Sequence, residues 1–139
     1  MEQYIIMRFK EDRYAVSISD IHEIIEFQPI TAIPRSHYFL EGVINLRGKI
    51  VPVISLAKRL NQASAESTKH TRIVVVNHGV DVVGIIVDAV EQVVTFEEFS
   101  DPPAASRVFS KVGMADDLVV PIFSIKNLLE SEGDQSHAG

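Results

Sequence analysis

The sequence contains a weak internal repeat, and each copy occupies about half of the chain. Residues Ile50–Leu60 align with Val119–Leu129, and both segments carry a Val-Pro pair followed by a β-branched residue. Repeated segments tend to adopt the same fold, because each copy carries the same pattern of buried positions. The repeat therefore predicts two similar lobes, approximately 1–69 and 70–130, inside a single domain of 1–139.

Each half consists of short runs of β-forming residues separated by turns. Hairpins are predicted at 4–18 and 72–87, which occupy matching places in the two halves, and at 42–55 and 108–123. Roughly five strands per half are too few for a β-sandwich, whereas a small barrel closes its own edges. The pattern therefore predicts two five-stranded β-barrels that share a hydrophobic core, each only marginally stable alone.

Two short helices are predicted directly after the repeated Val-Pro strands. Ser55 and Ser124 are suited to cap helices that run to Leu60 and Leu129. The side-chain oxygen of a serine at this position accepts a hydrogen bond from a backbone N–H that the first helical turn leaves unpaired.

Two segments allow more than one interpretation. Ile21, Ile24 and Ile25 have the i, i+3, i+4 spacing of one or two helical turns, but their β-branching suits a strand as well. Pro52 cannot donate to a strand ladder, so its strand is predicted to lie at a sheet edge or to carry a bulge. The polar tail 131–139 is predicted to be flexible.

Composition and charge exclude several classes of protein. The chain has no cysteine, which excludes disulfides, thiolate zinc sites and cysteine nucleophiles. Its net charge is −6 and it has no basic block, so neither nucleic acid nor an anionic membrane is the expected partner. No signal peptide is expected, and the longest apolar run, Val82–Val87, is far shorter than the ~20 residues that cross a bilayer.

The two halves differ most at one predicted turn. Asn45–Gly48 occupies the place where the second half has Met114–Asp117. A tight turn requires Gly or Asn where φ is positive, but it does not require an Arg or a Leu. The first half therefore places a cation, Arg47, and an apolar group, Leu46, on this turn, which makes it the candidate functional site.

The run Gly42–Ile54, which contains this turn, resembles the signature of the CheW family of chemotaxis coupling proteins. Tyr14–Val16, Ile33–Pro34 and Val83–Val90 fit the same family pattern on either side of it. The likeness extends over about residues 4 to 130. It implies a mainly β fold of two five-stranded SH3-like barrels around a shared hydrophobic core, with short helices, in agreement with the repeat.

The resemblance also implies a function. Members of the family are non-catalytic adaptors in bacterial chemotaxis, without a cofactor or metal, that join the cytoplasmic tips of chemoreceptors to the regulatory domain of the histidine kinase CheA. The chain is therefore expected to be cytoplasmic and to be recruited to receptor arrays without inserting into the membrane. The implied receptor-binding residues are Arg47, Gly42, Asn45, Leu46, Gly48, Ile21 and Glu23. The resemblance identifies no kinase-binding residues in this chain.

Two positions depart from the family pattern. Ser55 and Ser124 stand where the family often has Asp. Serine and aspartate both cap helices through a side-chain oxygen, so the fold is expected to survive the exchange. A partner contact that depends on either carboxylate is in doubt. The chain also lacks a receiver domain, so it resembles the stand-alone adaptor.

Two alternative functions remain open from the sequence. The adaptor could serve another chemosensory-type pathway, such as one that controls pilus motility. A small hydrolase is an alternative from a different class, because Ser55–Lys58 has the S-x-x-K spacing of penicillin-binding enzymes. However, the companion S-D-N and K-T-G elements are missing, and His22–Glu26 lacks the second histidine of a zincin motif. No glycine-rich nucleotide-binding motif is present either.

Overall fold

The computed structural model describes residues 1–34, 37–64, 66–102 and 107–130. These residues form strands and a few short helices, which confirms the predicted mainly β class. The strands are β1 (Tyr4–Phe9), β2 (Asp12–Ser17), β3 (Ile21–Glu26), β4 (Leu40–Leu46), β5 (Lys49–Ser55), β6 (Arg72–His78), β7 (Asp81–Val87), β8 (Ala89–Val94), β9 (Glu98–Ser100), β10 (Phe109–Ala115) and β11 (Leu118–Phe123). The helices are α1 (Leu56–Arg59) and α2 (Ile125–Leu129), with a 3-10 turn at Ile18–Asp20.

The chain divides into two compact units, each built on one sheet. Unit 1 comprises Met1–Asp20 and Ala89–Gly139, and its strands lie in the order β8-β1-β2-β11-β10-β9. Unit 2 comprises Ile21–Asp88, and its strands lie in the order β3-β6-β7-β5-β4. Each sheet contains one parallel contact, β2 with β11 and β5 with β7, and its other neighbours are antiparallel.

The two sheets have the same strand order when each strand is matched with its counterpart in the repeat. Strands β1, β2, β8, β10 and β11 of unit 1 correspond to β6, β7, β3, β4 and β5 of unit 2. Beside β10, Ser100 of β9 pairs with Val112. At the matching place beside β4, Thr31 forms an isolated bridge with Val43. Unit 1 therefore has a sixth strand, β9, where unit 2 has a single bridge.

The units do not coincide with the sequential lobes 1–69 and 70–130. The hairpin β1–β2 lies in the sheet of the later strands because β2 pairs with β11, Ala15 facing Ile122. The hairpin β6–β7 lies in the sheet of the earlier strands, since β6 pairs with β3 and β7 pairs with β5. A repeat identifies matching segments, but it does not say which of two equivalent hairpins completes which sheet. The predicted flexible tail 131–139 lies outside the described residues.

Each unit has its own buried cluster, made mostly by residues that point inward from its strands. In unit 1 these residues are Tyr4, Ile6, Ala15, Phe96, Val120 and Ile122. In unit 2 they are Ile44, Val51, Val53, Ile73, Val75 and Val82. Only apolar side chains form these clusters, which is what the high β-branched content of the strands favours.

The ambiguous segment around Ile21–Ile25 is a strand, so its helical interpretation is wrong. Strand β3 pairs with β6 from Ile21 opposite Val76 to Glu26 opposite Arg72. The neighbouring β6 offers a ladder of backbone hydrogen bonds, and the β-branched side chains suit it. The helical turn that the sequence suggested is confined to the 3-10 turn before the strand.

Pro52 lies in β5, which has a neighbour on each side and is therefore not an edge strand. The proline is tolerated because β5 pairs with β7 only from Val53 onward, where Val53 faces Gly84. The register shift of this hairpin lies instead in β4, between Leu40 and Gly42. The prediction that Pro52 lies in an edge strand is therefore wrong. The missing N–H of Pro52 nevertheless disturbs no pairing with β7, because that pairing begins one residue later.

Both predicted helix caps are confirmed. The Ser55 side chain accepts a hydrogen bond from the backbone N–H of Lys58, and the Ser124 side chain accepts one from that of Asn127, each at 3.2 Å. Each serine is extended and directly precedes the first helical residue. Ser55 and Ser124 therefore each satisfy one backbone N–H that the first helical turn leaves unpaired.

Candidate functional site

Arg47 and Gly48 form a two-residue turn between β4 and β5. The last paired residues are Leu46 and Lys49, so only these two residues connect the strands. Their φ angles are 53° and 88°, and a type I′ hairpin turn requires positive φ at both positions. Glycine adopts this conformation readily, whereas an arginine adopts it at a cost in conformational free energy.

The side chain of Asn45 supports this turn. Its Oδ1 accepts a hydrogen bond from the backbone N–H of Gly48 at 2.7 Å. A short polar side chain that bonds to the backbone of a turn holds that turn in place. Asn45 therefore helps to fix the backbone from which Arg47 projects.

The guanidinium of Arg47 forms an ion pair with the carboxylate of Glu23, to which its Nη2 donates a hydrogen bond. The side chain of Arg47 is 67% exposed, whereas that of Glu23 is 24% exposed. This hydrogen bond lowers the pKa of Glu23 below its usual value and raises that of Arg47. The pair orients the cation while leaving most of its surface accessible.

Glu23 reaches the turn because of the way the sheet of unit 2 curves. Strand β3, which carries Glu23, and β4, which leads into the turn, lie at opposite ends of the strand order. The ion pair therefore connects the two ends of the sheet, as expected for a sheet that curls into a barrel. A register shift between Ile21 and Glu23 bends β3 at this point, and bulges commonly re-aim side chains.

His22 lies beside the same carboxylate. Its Nε2 is 3.5 Å from Oε2 of Glu23, the oxygen that also accepts from Arg47. The sequence suggested His22 only as part of an incomplete zinc motif. Among the described residues, no group of three or more His, Cys, Asp or Glu is placed to hold a metal ion.

Gly42, which the resemblance places in the receptor site, is buried and has a clear structural role. Its φ is 156°, and a Cβ at this position would lie 2.8 Å from Cγ2 of Ile30 and closer still to the backbone oxygen of Thr31. Thr31 approaches because it exchanges two 2.9 Å backbone hydrogen bonds with Val43. Gly42 therefore permits the close approach of two backbones at the edge of the sheet.

Leu46 and Ile21 are half-buried rather than fully exposed. Leu46 packs against the buried cluster of unit 2, together with Ile25 and Ile30. The structure thus brings Asn45, Arg47, Gly48 and Glu23 together at the surface, with Leu46 beneath them. A receptor-binding role stays a prediction for all seven of these residues, Gly42 and Ile21 included.

Sequence reasoning missed Ile50 and Thr31. Ile50 is 61% exposed, lies two residues after the turn and faces Asn45 in the hairpin. Strict alternation along β5, in which Val51 and Val53 point inward, was the signal that could have identified it. Thr31 forms its bridge with Val43 across a connecting segment, and no local sequence pattern predicts this pairing.

The S-x-x-K segment has a structural function. Ser55 is buried and its hydroxyl caps α1. Lys58 Nζ lies 3.2 Å from a carboxylate oxygen of Glu41, in an ion pair. The segment is therefore explained by helix capping and by an ion pair, without a nucleophile activated by a base.

None of the helices in the described part of the chain combines the length and the apolar composition needed to span a membrane.

Comparisons with known proteins agree with the fold. The CheW-like domain family matches residues 3–133. The chain is 32% identical over 142 residues to the chemotaxis protein CheW of Bacillus subtilis, covering 97% of this chain and 91% of the relative. It is 30% identical over 138 residues to the chemotaxis protein CheW of Klebsiella aerogenes, covering 94% of this chain and 83% of the relative.

A solved structure shows the same architecture. The crystal structure of the scaffolding protein TtCheW from Thermoanaerobacter tengcongensis superposes with a TM-score of 0.86 at 33% identity, covering 95% of this chain and 90% of the other. The similarity to this structure and the two sheets described above confirm the predicted mainly β fold of two SH3-like barrels with short helices. Together, the family match, the relatives and the shared architecture show that this chain belongs to the CheW-like domain family.

Proposed function

We propose that the chain is a non-catalytic adaptor that couples chemoreceptors to the histidine kinase CheA. The relatives named above are chemotaxis proteins, and the structural neighbour is described as a scaffolding protein. The adaptor catalyses no reaction itself, and its role is to position two larger proteins relative to each other. It works in the cytoplasm and joins membrane-associated receptor arrays through its protein partners.

The observation that carries the proposal is the ion-paired Arg47 on a two-residue turn. Arg47 presents most of its guanidinium to solvent from a backbone that Asn45 holds in place. A guanidinium binds carboxylates and carbonyl oxygens through several parallel hydrogen bonds. A receptor helix that offers a carboxylate would share or replace Glu23 as the partner of Arg47.

Coupling also requires a second interface, because the kinase and the receptor must be bound at the same time. The family resemblance implies that the kinase regulatory domain has a similar fold, so one unit of the adaptor would dock barrel to barrel while the turn of unit 2 binds the receptor. Such a division of labour explains why only one of two equivalent turns carries an arginine, Arg47.

The experiment is a binding assay with purified partners. The adaptor is incubated with a receptor cytoplasmic fragment and with the CheA regulatory domain, separately and together, and co-purification is measured. Arg47→Glu is expected to abolish receptor binding while kinase binding is retained. Asp116→Lys is the matched control, since it changes the charge at the equivalent turn of unit 1.

Kinase activity in the ternary complex is the functional measurement. Arg47→Glu should remove receptor-dependent control of the kinase, whereas its thermal unfolding should stay close to that of the wild type. Normal ternary activation by this variant would contradict the proposal. Loss of receptor binding by Asp116→Lys to the same extent would show that the turn of unit 2 is not the receptor site.

A further inference from the structure

Unit 2 has an open notch on its outer surface, next to the Arg47 turn. The notch has a volume of about 320 Å³ and is lined by Ile50, Pro52, Val83, Lys49, His78 and Asp81, among others. Ile50 is 61% exposed, although burial of an isoleucine side chain is favourable by roughly 1.5–3 kcal/mol. An exposed β-branched residue at the centre of a concave surface marks a candidate contact for a partner.

The notch exists because of Pro52. The backbone of β5 pairs with β7 only from Val53 onward, so a gap separates the two strands before that point. Proline has no N–H to bridge this gap. Ile50 and Pro52 point outward, while Val51 and Val53 between and after them are buried.

Unit 1 has an equivalent notch of about 550 Å³ at the repeat-related place. Val119 and Pro121 occupy the positions of Ile50 and Pro52, and Val119 is 63% exposed. The two notches therefore present nearly the same apolar group to the same extent. Exposure of the central residue does not distinguish them.

Charge does distinguish the two notches. The notch of unit 1 is rimmed by the carboxylates of Glu11, Asp12 and Asp117. Its arginine, Arg13, is held by Glu91 through a 2.7 Å ion pair. A partner segment that carries carboxylates is repelled there.

The notch of unit 2 has a different rim. It contains one carboxylate, Asp81, together with the cation Lys49 and the titratable His78. Lys49 directly follows the Arg47 turn, and Arg47, which is paired with Glu23 but 67% exposed, lies on that turn outside the lining of the notch. An acidic partner segment therefore finds favourable charge at this notch and unfavourable charge at the notch of unit 1.

We propose that the notch of unit 2 receives an apolar side chain of the same carboxylate-bearing helix that Arg47 binds. This inference rests on the proposed function and extends its site from the turn to Ile50. The cross-strand pair of Asn45 and Ile50 makes the two parts of the surface continuous. Arg47 and Lys49 bind the carboxylates of the helix, and Ile50 supplies the apolar contact that is buried on binding.

Calorimetric titration with a receptor cytoplasmic fragment tests the proposal. Ile50→Ala is expected to weaken binding about tenfold, because apolar contact at the centre of an interface is lost. Ile50→Glu should weaken it further, since it adds a carboxylate beside an acidic helix. Val119→Ala and Val119→Glu are matched controls and should bind as the wild type does. Thermal unfolding of each variant shows that it is folded.

The absence of cysteine allows a second, direct measurement. A nitroxide label is attached to Ile50→Cys or to Val119→Cys, and its mobility is followed as the receptor fragment is added. Immobilisation at position 50 alone supports the proposal. Equal mobility changes at both positions, or none at position 50 while the fragment binds, would overturn it.

The outcomes separate this inference from the proposed function. If Arg47→Glu loses binding while Ile50→Ala and Ile50→Glu retain it, the adaptor function stands and the notch is not part of the site. If the wild-type adaptor does not bind the fragment, the proposed function fails, and the occupant proposed for the notch fails with it.

Discussion

Arg47 and Asp116 have the same left-handed backbone, with φ at 53° in both, on equivalent turns of the two units. Arg47 connects β4 and β5, and Asp116 lies between β10 and β11. The first position of the turn is therefore alike in both copies, whereas the charge is opposite and the second position differs, with a positive φ at Gly48 but not at Asp117. Glu23 pairs with Arg47, but its counterpart Glu91 pairs with Arg8 and Arg13 instead. One copy thus carries a solvent-facing cation at the turn position that carries a carboxylate in the other.

Gly42→Ala is expected to destabilise the protein by about 2–4 kcal/mol, because the new Cβ would clash with the backbone of Thr31 at a positive φ. Urea unfolding measures the change. Gly48→Ala is the control, since its φ is also positive but no described atom lies within 4 Å of the position that a Cβ would take there. It should cost only about 1 kcal/mol, and an equal loss in both variants would contradict the explanation.

Asn45→Ala is expected to lower the free energy of unfolding by about 1 kcal/mol, since it removes the acceptor for the backbone N–H of Gly48. Asn45→Asp keeps a side-chain oxygen at the same place and should retain most of the stability. Chemical denaturation of the two variants measures the difference. If both lose the same stability, the hydrogen bond to Gly48 does not support the turn.

The Glu23–Arg47 pair should contribute to stability only while Glu23 is ionised. The hydrogen bond from Arg47 lowers the pKa of Glu23 in the folded state below its ordinary value of 4.5. The contribution is therefore fully present above the unfolded pKa and is lost as the pH falls through the lower, folded pKa. A carboxyl NMR titration of Glu23 measures this, and Arg47→Ala should return its pKa toward 4.5. An unchanged titration in that variant would refute the assignment.

Asp20 should show the opposite pH behaviour and serves as an internal comparison. Burial, and then the charge of Glu2, raises its pKa above the usual value of 3.8. Its ionisation therefore opposes folding, and protonation on lowering the pH relieves this unfavourable effect. Asp20→Asn should raise stability at neutral pH and flatten its dependence on pH near the raised pKa. A loss of stability at neutral pH would contradict this account.

Ser55→Ala and Ser124→Ala should each destabilise the protein by about 1 kcal/mol through the loss of an N-cap. Ser55→Asp and Ser124→Asp keep a capping oxygen and should restore most of it. Thermal unfolding of the four variants provides the measurement. If the Asp variants are as unstable as the Ala variants, the serines contribute by their small size rather than by capping.

Local chemistry was sufficient to predict several parts of the fold. The hairpins, the two serine caps and the turn at Arg47 each depend on residues close together in sequence, so propensity and turn chemistry identify them. The repeat added the expectation of two similar units. The family signature around Gly42–Ile54 added the candidate site.

The interpretations that failed concern contacts between distant segments. Ile21–Ile25 became a strand because β6 provides a partner for it, and Pro52 could lie in a strand with two neighbours because pairing with β7 starts one residue later. The repeat could not reveal that each N-terminal hairpin completes the sheet of the other half. These outcomes depend on pairing over long sequence separations, which local pattern does not encode.

The sequence by itself therefore determined the secondary structure of most segments and the presence of a cation on a tight turn. Only the tertiary structure decided that Glu23, at the far end of the same sheet, pairs with Arg47, and that Ile50 stays exposed beside it. The physical reason is that turn geometry is set by neighbouring residues, whereas the partners of a side chain are set by how the sheet curves. Curvature brings its two end strands together, and the candidate site is formed where they meet.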